Sequence, residues 1–167
     1  LMNYDNFYED VTTSSGVAIA SGQYTGWGGV LFDYDNDGYL DMFCANGNAH
    51  HEYTQEDVLV RNDGQGNFTE SQPEMSGYTP SAIALGDLDG DGDLDVFVGN
   101  SQQIPNYVWL NDGSGQFTHS LQFLGNSPTT DVELGDVDGD GDLDAIVANG
   151  EYFYGSPSMR PNKIWLN

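Results

Sequence analysis

Three short segments of the chain carry aspartate at alternate positions, and their spacing suits them to hold a cation. They run from Asp33 to Asp41, from Asp87 to Asp95 and from Asp136 to Asp144, and each fits the pattern Asp-x-Asp-x-Asp-Gly-x-x-Asp. Calcium is a hard cation that takes six to eight oxygen ligands, and alternating carboxylates in a tight loop place oxygens on one side. The spacing therefore predicts one Ca²⁺ site in each segment, and three sites in all.

Each position of these nine-residue loops has a predicted role. Positions 1, 3, 5 and 9 supply carboxylate oxygens, the glycine at position 6 permits a sharp bend, and position 7 offers its backbone carbonyl. The carboxyl groups of Asp93 and Asp142, at position 7, are expected to face solvent. The predicted ligands are Asp33, Asp35, Asp37, Tyr39 and Asp41 in the first loop; Asp87, Asp89, Asp91, Asp93 and Asp95 in the second; and Asp136, Asp138, Asp140, Asp142 and Asp144 in the third.

An EF-hand and a simple polar turn both fit the loops less well than this kind of site. An EF-hand requires glutamate at position 12, where this chain has Cys44, Val98 and Val147, and it requires flanking helices where strands are indicated. A single Asp-Gly cluster could be a polar hairpin turn, but three clusters in register disfavour that interpretation. Without a cation the clustered carboxylates would repel one another, so calcium is predicted to be a component of the fold.

The loops belong to a longer repeat, because their first residues are 54 and 49 positions apart. Periods near 50 are typical of propellers and solenoids. Short runs rich in Val, Ile and Phe precede and follow each loop, a third run ends in asparagine, and a Gly-rich turn leads to a fourth run, as strands and hairpin turns require. We predict an all-β fold of three tandem four-stranded blades in one domain, 1–167, with repeats of approximately 4–62, 63–111 and 112–167.

Propellers close with four to eight blades, so three predicted blades imply an open array, or one completed by another chain or by further blades. The segment Leu1-Met-Asn3 matches Trp165-Leu-Asn167, so the chain starts and stops in the same phase of the repeat. Open strand edges favour pairing with another chain, so self-association is an expected property.

The repeats resemble a known family. Gly26-Trp-Gly-Gly-Val-Leu-Phe-Asp-Tyr-Asp-Asn-Asp-Gly-Tyr-Leu-Asp41 and Leu85-Gly-Asp-Leu-Asp-Gly-Asp-Gly-Asp-Leu-Asp95 are similar to FG-GAP/VCBS repeats, the calcium-binding blades of the integrin α-subunit propeller. This resemblance implies an integrin-like β-propeller with calcium ligands at the aspartates named above. Asn36 and Tyr39 depart from the other two loops, and three repeats are fewer than the seven blades usual in that family.

The composition limits the possible partners. Three Lys or Arg against 27 Asp or Glu give a net charge of −24, which repels nucleic acid and anionic membrane surfaces. Fourteen of those acidic residues lie in the three loops. No apolar run reaches the roughly 18 residues of a membrane helix. Because calcium is plentiful outside cells and scarce in the cytosol, the loops favour a secreted or cell-surface protein.

Several other residues have candidate roles. Trp109 and Trp165 occupy equivalent strand positions and are predicted to pack between repeats. His50-His51-Glu52 is predicted to be a solvated loop, with a transition-metal or ligand contact as the alternative. Aromatic residues predicted in turns or insertions could meet a carbohydrate or protein ligand. They are Tyr24, Trp27, Tyr53, Tyr107, Tyr152 and Tyr154.

The sequence favours a binding protein over an enzyme, because no nucleophile and base stand in a catalytic arrangement and the clustered carboxylates are assigned to metal. The leading hypothesis is a calcium-binding extracellular adhesion or recognition module that takes a protein or carbohydrate ligand. One alternative is a structural subunit of a filament or multichain ring that assembles through blade edges. The other is a glycan-binding lectin.

Overall fold

The computed structural model of the chain describes residues 10–11, 13–17, 25–47, 58–72, 80–150 and 160–167. Within these residues eleven β-strands form three antiparallel sheets, which confirms the prediction of an all-β fold. The first sheet contains β1 (Thr25–Phe32), β2 (Asp41–Gly47), β3 (Val58–Asn62) and β4 (Phe68–Gln72) in that order. The second contains β5 (Pro80–Gly86), β6 (Asp95–Asn100), β7 (Tyr107–Asn111) and β8 (Phe117–His119), and the third contains β9 (Thr129–Gly135), β10 (Asp144–Asn149) and β11 (Lys163–Trp165).

The described part of the repeat predicted at 112–167 contains four strands, β8 to β11, but β8 belongs to the second sheet and not to the third sheet. In the described residues it has three strands, with β10 in the centre between β9 and β11. The first two sheets have the predicted four, each joined to its neighbour in sequence as an antiparallel meander. The sequence boundary at 62/63 falls between β3 and β4, which are hydrogen-bonded neighbours in one sheet.

The core lies between successive sheets and is built from the alternating faces of their strands. Every residue of β6 is buried. Val96 and Val98 pack with Phe32 and Phe43 of the first sheet, whereas Phe97 points the other way and packs with Val147 of the third. Successive side chains of a strand point to opposite faces of its sheet. The second sheet, which lies between the other two, therefore has both of its faces buried along β6.

Trp109 and Trp165 lie at the boundaries between sheets, as the sequence predicted. Trp109 packs against the buried cluster shared by the first and second sheets, and Trp165 packs against the cluster shared by the second and third. Packing between the sheets is also close at Gly99 in β6. A Cβ atom at that position would lie 2.6 Å from Cγ2 of Thr129, which belongs to the third sheet.

Two of the six aromatic residues predicted in turns lie in strands instead. Tyr107 is the first residue of β7, is 6% exposed and has its ring centroid 5.9 Å from that of Phe123. Trp27 lies within β1, at an irregularity in the register between Gly26 and Gly28. Tyr107 is therefore a core residue and not a ligand platform, which removes one support of the lectin hypothesis. The other four aromatics and His50-His51-Glu52 fall outside the described residues.

No helix in the described part of the chain has the length and apolar character needed to cross a membrane.

Candidate metal sites

Each aspartate loop connects the first and second strands of its sheet, so the three loops occupy equivalent places. The last residue of the loop motif is the first residue of the second strand, as Asp95 is in β6. It pairs with the residue just before the motif, in the register Phe32 with Asp41, Gly86 with Asp95 and Gly135 with Asp144. The antiparallel register thus brings positions 1 and 9 of each motif together.

The bend predicted at position 6 is present in all three loops. Gly38, Gly92 and Gly141 have φ values of 89°, 97° and 101°, in the left-handed region that a Cβ atom disfavours. Position 4 is left-handed too, and there the first loop has Asn36 with φ of 57°. Asparagine tolerates this conformation better than most residues, which explains how it can stand where the other loops have glycine.

The aspartate at position 1 organises the loop by accepting two backbone hydrogen bonds. Oδ1 of Asp33 accepts from N–H of Asp37 at 3.0 Å and Oδ2 accepts from N–H of Gly38 at 2.8 Å. Asp87 and Asp136 also accept two, but one oxygen accepts from N–H of position 4 in place of position 5, and the other from N–H of position 6. The loop backbone therefore wraps around this carboxylate.

The aspartate at position 9 anchors the loop to the third strand. Asp41, Asp95 and Asp144 are 0%, 0% and 1% exposed. Oδ2 of Asp95 accepts from N–H of Leu88 at 2.7 Å, and Oδ1 accepts from N–H of Asn111, the last residue of β7, at 2.8 Å. The other two anchors make the same pair of bonds, Asp41 with Tyr34 and Asn62, and Asp144 with Val137 and Asn167. The sequence predicted only a metal ligand at this position.

The three position-9 aspartates, the anchors of their loops, differ in the effect that dominates the pKa of the carboxyl group. Burial raises the pKa of Asp41 and of Asp95, against the lowering effect of their backbone donors. At Asp144 the N–H groups of Asn167 and Val137 dominate and lower the pKa. Partial desolvation within the loop and the neighbouring Asp140 carboxylate raise the pKa of Asp138, although its side chain is exposed. A cation held nearby would favour the charged form of every one of these groups.

Three carboxylates in each loop converge on one region. Each of the three offers an oxygen that lies within 4.8 Å of the oxygens of the other two. Two oxygens that ligate one calcium ion at about 2.3–2.6 Å are at most about 5 Å apart, so this separation fits a shared ion. The triads are Asp33, Asp35 and Asp37; Asp87, Asp89 and Asp95; and Asp136, Asp138 and Asp144.

The donor chemistry also fits calcium. The triads contain carboxylate oxygens and no nitrogen or sulfur, the ligand type that hard divalent cations take. Oδ1 of Asp35 is buried, and the described residues place no hydrogen-bond donor on it. A buried carboxylate oxygen without a donor is costly, and a cation in the first loop would satisfy it. The residues present are therefore able to hold Ca²⁺.

Some predicted ligands lie outside the triads. Asp41 is absent from the first, and Asp91 and Asp140, at position 5, are absent from the second and third. Oδ1 of Asp91 and of Asp140 accepts from the backbone N–H of the residue at position 7. Tyr39 is 48% exposed, and its backbone N–H donates to Asp37.

The two position-7 carboxyl groups behave differently from each other. Asp142 is exposed, as predicted. Asp93 is half-buried, and its Oδ1 accepts from Nδ2 of Asn36 in the first loop at 3.0 Å. The carboxyl group predicted to face solvent is thus only partly exposed, because the neighbouring repeat supplies a donor that cannot be located from sequence.

Adjacent repeats are tied together near the loops by an asparagine that lies at the end of the third strand or just after it. Nδ2 of Asn111 donates to the carbonyl of Tyr34 at 2.9 Å, and Nδ2 of Asn167 donates to the carbonyl of Leu88 at 2.9 Å. Both acceptors occupy position 2 of the loop in the preceding repeat. The same asparagine thus meets the anchor of its own loop and the backbone of the previous one.

Equivalent aspartate loops on successive antiparallel sheets define an all-β repeat protein. The profile of the family described as FG-GAP-like repeat matches residues 33–98 and 87–147. The matches begin at position 1 of the first and second loops, and together they cover more than half of the chain. The chain therefore belongs to the FG-GAP-like repeat family. A comparison with curated proteins gave no match.

Proposed function

We propose that this chain is a calcium-binding module of an extracellular adhesion or recognition protein, with one ion in each of its three loops. The observation that carries the proposal is the recurrence of a triad of carboxylate oxygens at the same place in three repeats. Membership of a repeat family similar to the integrin propeller supports it. The role is binding and not catalysis.

The three sheets are blades of a propeller-like array in this proposal. Phe43 and Phe97, at the same position of β2 and β6, are fully buried, whereas the equivalent Ile146 of β10 is 40% exposed. The third sheet therefore has an outer face that further blades or another chain would cover. Loops made rigid by calcium would hold neighbouring surface segments in place for a protein or carbohydrate ligand.

Calcium would stabilise the fold because its ligands are brought together only in the folded chain. A ligand that binds the native state and not the unfolded state raises the unfolding free energy by mass action, about 2.7 kcal/mol at a hundred times its Kd. In this chain the ion would also offset the repulsion within each triad. Removal of the metal should therefore lower the melting temperature.

The test is thermal unfolding of the wild type, D89A and D138A, each with calcium and with a chelator. Asp89 and Asp138 are exposed members of triads, so their replacement removes a ligand with little loss of packing. E133A is the control, because Glu133 is an exposed acidic residue of β9 outside the loops. We expect calcium to stabilise the wild type and E133A more than D89A and D138A, with chelator bringing the wild type to or below the two variants. A wild-type melting temperature that does not change with chelator would refute the proposal.

A second candidate is a structural subunit that assembles edge to edge. In the described residues β11 pairs with β10 on one side only, and Ile164 and Leu166 beside that edge are each 61% exposed. Unpaired strand edges with apolar side chains favour pairing between chains. Light scattering in calcium separates the candidates, because a filament grows with protein concentration and a monodisperse monomer would contradict it.

A further inference from the structure

The first loop differs from the others in having a basic side chain in contact with its carboxylates. Nε of Arg61 lies 2.6 Å from Oδ2 of Asp35, and Nη2 of Arg61 lies 2.7 Å from Oδ2 of Asp37. Both aspartates belong to the triad of this loop. The guanidinium therefore forms ion pairs with two of the three carboxylates that converge there, through one oxygen of each.

The contact is specific to this repeat. Arg61 lies in β3 one residue before Asn62, whose N–H meets the anchor of the first loop. The residues in the same place in the other repeats are Leu110, before Asn111, and Leu166, before Asn167. Neither leucine can neutralise a carboxylate, so the second and third loops have no resident cation at this position.

The hydrogen bonds inside the first loop are rearranged as well. In the second and third loops the position-3 aspartates accept from the backbone N–H of position 5, at 3.2 Å in Asp89 and 3.3 Å in Asp138. In the first loop that N–H, from Asp37, donates to Asp33 instead, and Asp35 is paired with Arg61. Its triad also uses position 5 in place of the position-9 anchor. The first loop is thus arranged around the arginine.

We infer that Arg61 is a built-in counter-cation that sets the calcium affinity of the first loop below that of the other two. The inference rests on the proposed function, since it concerns the same three sites. An ion that enters the first loop must either displace the guanidinium from two carboxylates or bind within a few Å of its positive charge, and both lower the affinity. The same contact lets this loop keep its shape when calcium is scarce.

The expected size of the effect is modest, because the Arg61 side chain is 50% exposed. Exposed ion pairs contribute little in water, and two of them together with the repulsion of a divalent ion correspond to a change of about three- to tenfold in Kd. The arginine stays charged throughout, since its hydrogen bond to Asp37 and the nearby Asp35 raise its pKa further above the ordinary value.

Terbium luminescence can report on the first loop once the other two loops are disabled. Tb³⁺ takes oxygen ligands like those of calcium and emits when a nearby tyrosine is excited. Tyr34 and Tyr39 lie within the first loop, whereas the second and third loops contain no aromatic residue. The first two loops lie close together, because Asn36 of the first donates to Asp93 of the second, so Tyr34 would also excite an ion in the second loop. Titration of Tb³⁺ into a chain that carries D89A and D138A, which remove a ligand from each of the other loops, and its displacement by calcium therefore measure the affinity of the first loop.

The decisive variant is R61L, which installs the residue found at the equivalent positions of the other repeats. In the chain with D89A and D138A, we expect R61L to bind Tb³⁺ and calcium about three- to tenfold more tightly in the first loop than Arg61 allows. The reciprocal variant L166R, at an exposed position, should weaken one calcium site by a similar factor in calorimetry. Circular dichroism checks that each variant is folded.

Calcium calorimetry on the wild type and R61L distinguishes a failure of the proposed calcium binding from a failure of the inference about Arg61. Absence of calcium binding by both the wild type and R61L would overturn the proposed function and this inference with it. Calcium binding with R61L equal to or weaker than the wild type in the first loop would overturn the inference alone.

Discussion

Asp95 is predicted to stabilise the fold in two separable ways, as an anchor of backbone and as a ligand of calcium. It is fully buried, and its two oxygens accept from N–H of Leu88 and of Asn111. The substitution D95N keeps the shape of the side chain but replaces one oxygen by an NH₂ group. That group must face a backbone N–H, so one of the two hydrogen bonds is lost.

The size of the loss follows from these contacts. A hydrogen bond to a charged group contributes about 1.5–3 kcal/mol, and a buried N–H left without an acceptor costs a similar amount. Burial raises the pKa of Asp95, which shows that the charged form is partly destabilised by desolvation, and the neutral amide removes that cost. We expect a net destabilisation of about 2 kcal/mol without metal, or about 4–8 °C in melting temperature for a domain of this size.

The assay is thermal unfolding of D95N, D89N and the wild type, each with chelator and with calcium. Asp89 is exposed and accepts one backbone hydrogen bond through Oδ1, which asparagine can also make. With chelator, D89N should equal the wild type or exceed it, because one charge of the triad is gone, whereas D95N should be destabilised. With calcium, both should fall below the wild type. If D95N unfolds within about 0.5 kcal/mol of the wild type in chelator, the anchoring role is wrong.

Three further predictions concern the packing and turns around the loops. G99A should lose about 1–3 kcal/mol of unfolding free energy in urea, because its Cβ would overlap a methyl group of the third sheet. G135A is the control, since no atom lies within 4 Å of a Cβ there, and it should stay within about 0.5 kcal/mol of the wild type. Equal effects of the two substitutions would contradict the close packing at Gly99. N111A should lose about 1–3 kcal/mol of unfolding free energy, because a buried carbonyl of the preceding repeat loses its hydrogen-bond donor. N62A should lose less, because Nδ2 of Asn62 donates to an exposed carbonyl of its own repeat. The reverse order would contradict the tie between repeats. Hydrogen bonds from Ser114 lower the pKa of Asp112, so its charged form adds stability above the ordinary pKa near 3.9 that is lost as the pH falls through the lowered folded-state pKa. D112N should therefore melt below the wild type at pH 7 and converge with it as the pH falls below the lowered folded-state pKa of Asp112. A difference that stays constant over this pH range would contradict that effect.

The sequence predicted the strands and loops well because they depend on local chemistry. Alternating carboxylates, a glycine at the bend and β-branched runs on either side each restrict the chain within a few residues. The loops indeed join first and second strands, and the left-handed glycines Gly38, Gly92 and Gly141 occupy the predicted position. Trp109 and Trp165 pack between sheets because an equivalent position in each repeat meets an equivalent neighbour.

Contacts between repeats were the part that the sequence could not supply. Tyr107 was assigned to a turn, but it begins β7, and its ring packs against those of His119 and Phe123, which are 12 and 16 positions away. The bond from Asn36 to Asp93 joins residues 57 positions apart and has no local pattern. The recurring asparagines at the ends of the third strands were a visible signal, although their role depends on the backbone of the preceding repeat.

Arg61 shows a different limit of reasoning from the repeat pattern. A comparison of equivalent positions could have singled it out, since arginine stands where the other repeats have Leu110 and Leu166. Its contact with Asp35 and Asp37 depends on how β3 passes beside the loop, which only the three-dimensional structure gives. The departure of one repeat from the others is what distinguishes the first loop.

The most direct test of the calcium sites is anomalous difference density from crystals of the chain grown in calcium. We predict one peak in each loop, about 2.3–2.6 Å from oxygens of its three converging carboxylates. The three loops are equivalent in the fold, so a peak in the second and third loops and a weaker one beside Arg61 would agree with both proposals. Well-ordered loops with no peak at millimolar calcium would contradict the assignment of these aspartates to a metal.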